Sequence, residues 1–225
     1  MIGGFGPEST IDYYKILIET YREKFDSNSY PEIIIYSLDI YKLLDRVERQ
    51  EWDELVDWLL EAITKLKKAG ADFAFISANT PHIVFNQLKE KSPLPLISIV
   101  EETCNATERL NINKVALLGT LFTMQSHFYQ DEFNRRNIEI IVPNDDEKNY
   151  IHQKLMTEVE LGIFKSETRL ELLEIIKRMV DEEAVQGVIL GCTELPLILT
   201  EAAFGIPFIN PTHAHINRIL KECID

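Results

Sequence analysis

Short apolar segments alternate with longer amphipathic segments along most of the chain. Runs of apolar residues without regular polar alternation predict buried strands at 32–37, 72–77, 95–98, 114–119, 139–142 and 187–191. Apolar positions at helical spacing predict helices near 11–24, 52–69, 81–91, 101–110, 146–161 and 166–183, and another that ends near 136. This alternation predicts an α/β fold whose parallel sheets are covered by helices on both faces.

The second half of the chain repeats the order of motifs in the first half. In each half a corner of small residues comes first and a small or polar strand end comes later, at 3–10 and 78–80, then at 119–124 and 192–194. The shared order predicts a duplicated fold with two doubly wound lobes. We expect residues 1–98 with 208–225 to form one lobe and residues 99–207 to form the other.

Composition narrows the class of protein further. The chain has 225 residues, of which 45% are hydrophobic and 27% charged, as is typical of soluble globular proteins. No apolar run approaches the ~18 residues needed to span a bilayer, and the N-terminus has no basic segment before an apolar one. We therefore expect a cytoplasmic protein.

The charge balance restricts the partners. A net charge of −14 repels nucleic acid and anionic membrane surfaces, so neither is expected as a partner. The same negative charge would repel a dicarboxylate substrate, so a pocket that binds a dicarboxylate needs cationic side chains nearby. The three cysteines, Cys104, Cys192 and Cys223, fit neither a disulfide framework nor a zinc cluster, and no metal site is expected.

The candidate catalytic position lies at the end of a predicted strand. Cys192 follows an apolar run and is flanked by Gly191, Thr193 and Glu194, whereas Ala78 stands at the matching point of the first half. A cysteine after a strand is often a packing residue, but these polar neighbours favour a reactive thiol. Because a free thiol has a pKa near ~8.5, we expect nearby donors or a helix N-terminus to favour the thiolate of Cys192.

Several motifs together resemble the cofactor-independent aspartate/glutamate racemase family. They are Gly3-Gly-Phe-Gly-Pro-Glu-Ser-Thr10, Asn79-Thr80 with His82, Gly119-Thr120 with Thr123-Met124, and Gly191-Cys-Thr-Glu194. Their spacing covers nearly the whole chain. The resemblance implies two pseudo-symmetric α/β lobes and an active site in the interlobe cleft, where one thiol from each lobe faces the substrate's α-carbon. It also implies an amino-acid or dicarboxylate substrate, no pyridoxal phosphate, no metal, and commonly a homodimer.

The family's functional positions can be carried over one by one. Cys192 matches the second catalytic cysteine, and Ala78 stands where the first is expected. The positions that bind the substrate's carboxylates and amino group match Asn79, Thr80, Thr120 and Thr193. Lys165 matches a lysine for the side-chain carboxylate, although it also fits a solvated helix start, and either Arg46 or Arg49 matches an arginine. Asn79 and Thr80 also suit a helix cap, which is compatible with binding.

Ala78 can neither accept nor donate a proton, so ordinary two-thiol racemisation is in doubt. A positioned acid or base contributes about 10²–10⁴ in rate. Three interpretations follow: His82 supplies the missing proton through water, Cys192 alone catalyses a one-sided isomerisation or decarboxylation, or the alanine replaces a cysteine by design. A catalytically inactive ligand-binding homologue is the alternative from another class of protein.

Overall fold

A computed structural model describes residues 1–25 and 29–223 of the chain. The described chain divides into two compact units. The first comprises Met1–Ile99 and His215–Asp225, and the second comprises Val100–Ala214. None of the helices in the described ranges has the length and apolar character needed to cross a membrane.

The first unit contains a small parallel sheet with four strands. Its elements are β1 (Ile2–Gly3), α1 (Pro7–Phe25), β2 (Tyr36–Ser37), α2 (Ile40–Glu48), α3 (Trp52–Lys68), β3 (Ala74–Phe75), a 3₁₀ helix (Thr80–Val84), α4 (Phe85–Lys91) and β4 (Leu96–Ile97). Strand β1 pairs with β2 and β3 pairs with β4. A parallel bridge between Ile2 and Ile76 joins the two pairs, which gives the order β2-β1-β3-β4.

The second unit repeats this arrangement. Its elements are α5 (Ile99–Arg109), β5 (Lys114–Leu118), α6 (Leu121–Gln125), α7 (Phe128–Asn134), β6 (Glu139–Ile141), α8 (Asp145–Thr157), a 3₁₀ helix (Val159–Leu161), α9 (Ser166–Glu183), β7 (Val188–Leu190), α10 (Leu195–Ile198), β8 (Phe208–Ile209) and α11 (Pro211–Glu222). Helix α5 begins and helix α11 ends in the first unit. The strands form one parallel sheet in the order β6-β5-β7-β8.

The strand order explains why both units are doubly wound. In each, the chain moves from the first strand to a neighbour on one side and then crosses to the other side of the first strand. Right-handed crossovers that reverse direction place their helices on opposite faces of the sheet. The predicted pair of doubly wound α/β units is therefore confirmed.

The same order fixes where a ligand site is expected. In open α/β sheets ligands bind outside the carboxyl ends of the strands where the winding direction reverses. That point lies between β1 and β3 in the first unit and between β5 and β7 in the second. The residues that follow these strands include Ala78 in the first unit and Thr120 and Cys192 in the second.

Each unit has its own apolar core, which holds these strand ends in place. In the first, Leu55, Leu59 and Ile63 of α3 are fully buried and belong to one cluster with Ile2 and Ile76. In the second, buried side chains of β5 and β7 pack with those of α8 and α9. Burial at ~25 cal/mol per Å² of apolar surface is the main stabilising contribution in such layers.

Some boundaries differ from those predicted. The segment 32–37 was predicted as a buried strand, yet only Tyr36–Ser37 pairs, and Ile34 and Ile35 are exposed. Strand β2 is an edge strand, and its partner β1 offers only two residues for pairing. Helix α2 was not predicted, and the helix expected to end near 136 is two helices, because Ser126 takes an extended conformation.

The lobe boundary also differs near the C-terminus. The sequence assigned 208–225 to the first lobe, but Phe208 and Ile209 pair with Val188 and Ile189 in the second sheet. The chain returns to the first unit only at His215. Its buried imidazole lies 3.1 Å from the Tyr13 hydroxyl, through Nδ1, and 3.0 Å from the Ile97 carbonyl oxygen, through Nε2.

Candidate active site

The end of β7 positions Cys192. Strand β7 is buried between β5 and β8, and the chain leaves the sheet at Gly191. A Cβ atom on Gly191 would lie 2.8 Å from the Leu118 carbonyl oxygen, which is closer than real Cβ atoms come. The Gly191 N–H donates to that same oxygen at 2.6 Å. Glycine is therefore needed here to bring Cys192 out at the carboxyl end of the sheet.

The thiol of Cys192 is buried beside a carboxylate. Its Sγ donates to Oε2 of Glu194 at 2.9 Å, and the Thr193 hydroxyl donates to the same oxygen at 2.7 Å. Burial, followed by the charges of Glu194 and Glu160, raises the pKa of Cys192 well above its ordinary value. The expectation that the surroundings favour the thiolate is therefore wrong, because the nearest ionisable groups are acids. Cys192 is a neutral thiol that can donate a proton.

Glu160 completes a compact group with Cys192 and Glu194. The ligating atoms of these three side chains lie within 4.8 Å of one another. Burial, with a further contribution from the charge of Glu194, raises the pKa of Glu160 from 4.5 to about 7. A thiol with two carboxylates could contact a divalent cation, and it is the one such group of three or more among the described residues.

Sequence reasoning did not identify Glu160. It lies in the 3₁₀ helix after α8, and the chain then turns through Gly162 with φ of 73°. Neither the residue type nor its spacing from Cys192 signals that this turn brings the two side chains together. Glu194 was part of a quoted motif, but its hydrogen bond to the thiol was not foreseen.

Thr120 lies at the carboxyl end of β5, the neighbouring strand. It is the N-cap of α6, and its side chain accepts a hydrogen bond from the Thr123 N–H at 3.4 Å. The two threonine hydroxyls are 3.1 Å apart. Thr120 is half-buried, so capping leaves part of its side chain accessible. Thr120 and Cys192 thus follow the two strands that flank the reversal point of this sheet.

In the first unit, the corner after β1 and the end of β3 hold the corresponding motifs. Gly4 has φ of +90°, and a Cβ atom there would lie 2.1 Å from the Leu38 carbonyl oxygen. Only glycine fits this corner, which the Thr10 hydroxyl stabilises by accepting from the Gly4 N–H at 2.8 Å. Ala78 and Asn79 follow β3 and are nearly buried, and Asn79 makes no capping hydrogen bond.

His82 does not supply the proton that Ala78 lacks. Its Nδ1 lies 2.9 Å from the Ala78 carbonyl oxygen, and its Nε2 accepts from the Ile99 N–H at 3.3 Å. Burial lowers the pKa of His82 to about 4. Both ring nitrogens are therefore engaged by the backbone in a neutral imidazole. The interpretation of His82 as a water-linked proton donor is wrong, because the ring is a packing residue of the first unit.

The three candidate cations have different surroundings. Lys165 lies 3.0 Å from Oε1 of Glu158. Arg49 is exposed and pairs with Asp45 at 2.5 Å and with a glutamate, Glu51, at 2.8 Å. Arg46, in contrast, stacks on a tryptophan ring.

Arg46 is held by an aromatic ring and a backbone carbonyl. Its guanidinium lies 4.9 Å from the centre of the Trp58 ring, and its Nη1 donates to the Lys42 carbonyl at 2.8 Å. Its Nε is buried and has no hydrogen-bond partner among the described residues. The tryptophan ring and the Lys42 carbonyl thus hold the guanidinium in place.

Comparisons with known proteins agree with this fold. A family model described as Asp/Glu/Hydantoin racemase matches residues 2–219. The broad specificity amino-acid racemase RacX of Bacillus subtilis is 25% identical over 216 residues, which is 93% of this chain and 91% of RacX.

Solved structures are similar over nearly their full length. An aspartate racemase homologue from Pyrococcus horikoshii is 33% identical with a TM-score of 0.89, covering 100% of this chain and 97% of that one. The aspartate racemase of Picrophilus torridus shares the fold, with 23% identity, a TM-score of 0.74 and coverage of 99% and 92%.

Proposed function

The chain belongs to the Asp/Glu/hydantoin racemase family, and we propose that it transfers a proton at the carbon next to the carboxylate of an amino acid. Cys192 is the proton-transfer residue. The observation that supports this most directly is its buried neutral thiol, 2.9 Å from a carboxylate oxygen of Glu194 at the end of β7. No cofactor takes part in the proposed reaction.

The proton first moves within the protein. The Cys192 thiol gives its proton to Glu194, which already accepts its hydrogen bond. The thiolate then removes the α-hydrogen as a proton, and the electron pair of the C–H bond stays on the α-carbon and its carboxylate. The thiol and Glu194 exchange their protons with solvent, and return of a proton from Cys192 to the same face restores the C–H bond.

These proton transfers predict exchange of the α-hydrogen without inversion of the α-carbon. In the family that the chain resembles, a second thiol serves the other face, but Ala78 stands at that position here. With one thiol, the α-carbon gains and loses its proton on one face. The expected reaction is therefore α-proton exchange with retention, and racemisation is slower by about 10²–10⁴ than with two acid-base groups.

Binding is assigned to hydroxyl, amide and cationic side chains. We propose that Asn79, Thr80, Thr120 and Thr193 hold the α-carboxylate and amino group, as the family resemblance implies. Arg46 is the arginine that binds a carboxylate, since Arg49 is paired with Asp45. Hydrogen bonds to the carboxylate that strengthen as charge develops there would stabilise the carbanion.

A second candidate reaction is decarboxylation of a small malonate-type acid. It is favoured by the neutral state of Cys192, because this reaction needs an acid and no base. The bond between the α-carbon and one carboxylate breaks, carbon dioxide leaves, and the electron pair remains on the α-carbon. The Cys192 thiol then protonates that carbon and recovers its proton from water.

An Ala78→Cys variant tests the proposal. The protein and the variant are incubated with amino acids in deuterated buffer, and the products are separated by chiral chromatography. The wild type is expected to exchange with retention, and the variant to gain racemisation. Carbon dioxide release from malonate-type acids without any exchange would favour the second candidate. Ligand-dependent thermal stabilisation without either reaction would indicate a binding protein.

A further inference from the structure

The segment that joins α8 to α9 carries Glu160 and has few anchors in the core. This segment, residues 159–165, comprises the 3₁₀ helix Val159–Leu161 and the residues up to Lys165, which is the N-cap of α9. Val159 is buried in the core of the second unit, whereas every residue from 161 to 167 is exposed. Core packing therefore holds the beginning of the segment but not its end.

Attraction between side chains does not keep Glu160 beside Cys192. The Glu160 carboxylate makes no hydrogen bond or ion pair to any described residue. It lies within 4.8 Å of the Cys192 thiol and of the Glu194 carboxylate. Two carboxylates at this distance repel each other when both are ionised. The position of Glu160 therefore depends on how firmly the backbone on either side of it is held.

Glu158 holds the beginning of the segment through its main chain. It directly follows α8, and its N–H donates to the Lys154 carbonyl oxygen at 3.0 Å. Its own carbonyl oxygen accepts from the N–H groups of Leu161 at 3.0 Å and Ile163 at 2.9 Å. The turn that carries Glu160 is thus folded around the Glu158 carbonyl group.

The side chain of Glu158 holds the end of the segment. Its carboxylate is buried, and Oε1 accepts from Lys154 of α8 at 3.1 Å and from Lys165 at 3.0 Å. Thr168, a fully buried residue in the first turn of α9, donates its hydroxyl hydrogen to Oε2. Hydrogen bonds to an ionised carboxylate are among the stronger ones in proteins. One side chain therefore joins the end of α8 to the start of α9.

We propose that Glu158 is a positioning residue, which holds the 159–165 segment so that Glu160 stays beside the Cys192 thiol. Its part in proton transfer rests on the proposed function, in which Glu158 acts through Glu160 and touches neither the substrate nor the reacting atoms. Glu158 thereby sets the negative charge next to the thiol. Without its carboxylate the end of the segment is released, and repulsion by Glu194 drives Glu160 away.

Two alkylating reagents of similar size measure the charge beside the thiol. Iodoacetamide is neutral and iodoacetate is an anion, so a nearby carboxylate slows iodoacetate selectively, whereas easier access speeds both. Glu160→Gln should raise the ratio of the iodoacetate rate to the iodoacetamide rate at Cys192 roughly three- to tenfold at pH 8. Glu158→Gln should raise this ratio by a similar factor. An unchanged ratio in Glu158→Gln overturns the proposal.

A double variant separates positioning from the direct loss of a charge. Glu158→Gln leaves Lys154 and Lys165 without their partner, and the freed lysines would themselves attract iodoacetate. In the Glu160→Gln background, Glu158→Gln should change the ratio less than about 1.5-fold, because no carboxylate is left to be displaced. A further rise as large as in the single variant comes from the lysines and overturns the proposal.

Two more variants serve as a second test and a matched control. Thr168→Val removes one donor to Glu158 without changing any charge, so it tests the proposal even if Glu158→Gln does not fold. It should raise the ratio, and an unchanged ratio contradicts the proposal. Glu147, also mostly buried, pairs with Arg178 at 2.6 Å and joins α8 to α9 near the other end of α8. Glu147→Gln should leave the ratio unchanged, and a rise equal to that in Glu158→Gln overturns the proposal.

The ratio of alkylation rates requires no turnover, so the outcome for the inference is separate from that for the proposed reaction. A raised ratio in Glu158→Gln, with no α-proton exchange by the wild-type protein, supports the inference and contradicts the proposed function. α-Proton exchange by the wild-type protein, with an unchanged ratio in Glu158→Gln, supports the proposed function and contradicts the inference.

Discussion

Replacing Glu160 by glutamine should stabilise the protein, and the gain should depend on pH. The pKa of Glu160 is raised from 4.5 to about 7, first because burial disfavours the charged carboxylate and second because of the Glu194 charge. The native state therefore holds the Glu160 proton more tightly than the unfolded state. Between pH 4.5 and 7 the native protein binds more protons, so its stability falls as pH rises.

The size of the effect follows from that difference in pKa. A pKa raised from 4.5 to about 7 corresponds to about 3 kcal/mol once the group is ionised in both states. Glu160 is only partly buried, so solvent screening reduces the expected value to on the order of 2 kcal/mol. For a chain of this length, that is a difference in Tm of about 4–8 °C.

Differential scanning calorimetry of the wild type and Glu160→Gln at pH 5 and pH 8.5 measures this difference. The gap in Tm should be small at pH 5 and should favour the variant at pH 8.5. The exposed Glu167→Gln variant controls for the general loss of a negative charge. A gap in Tm that is the same at both pH values, or that is matched by Glu167→Gln, would refute the reasoning.

Three further outcomes are expected. Glu194→Gln removes a carboxylate that raises the pKa of Cys192, so iodoacetamide should alkylate that thiol faster at pH 8. Mass spectrometry locates the alkylated residue, and an unchanged rate of alkylation contradicts the prediction. His82→Ala should destabilise the protein by about 1–3 kcal/mol while α-proton exchange persists, and selective loss of exchange would restore its catalytic role. Gly191→Ala should lower Tm and slow α-proton exchange, because the added Cβ would lie too close to the Leu118 carbonyl oxygen. An unchanged Tm and an unchanged exchange rate would contradict this packing argument.

Much of the fold was predictable because strands in a parallel sheet are buried on both faces. The strands around Ala116 and Ile189 are continuous apolar runs, and their ends coincide with Gly119 and Gly191. The position of Cys192 at a strand end followed from that pattern alone. Edge strands are harder to predict from sequence, because one side of the strand is unpaired. The segment before Tyr36 is apolar, but only its end pairs with β1.

The charge state of the site was not predictable from the same pattern. Whether Cys192 is a thiol or a thiolate depends on burial and on Glu160, which comes close only through the turn at Gly162. The choice between Arg46 and Arg49 likewise depends on which partners the folded chain supplies. Pairing and burial are tertiary properties, so residue type and spacing do not determine them.

The central claim is that the Cys192 thiol moves the α-proton of an amino acid. Its most direct test is nuclear magnetic resonance of the α-hydrogens of a panel of L-amino acids in deuterated buffer, with wild-type protein and the Cys192→Ser variant. The account predicts loss of the α-hydrogen signal with retained configuration in the wild type, and a rate at least about 10²-fold lower in the variant. Equal exchange by both proteins would contradict it.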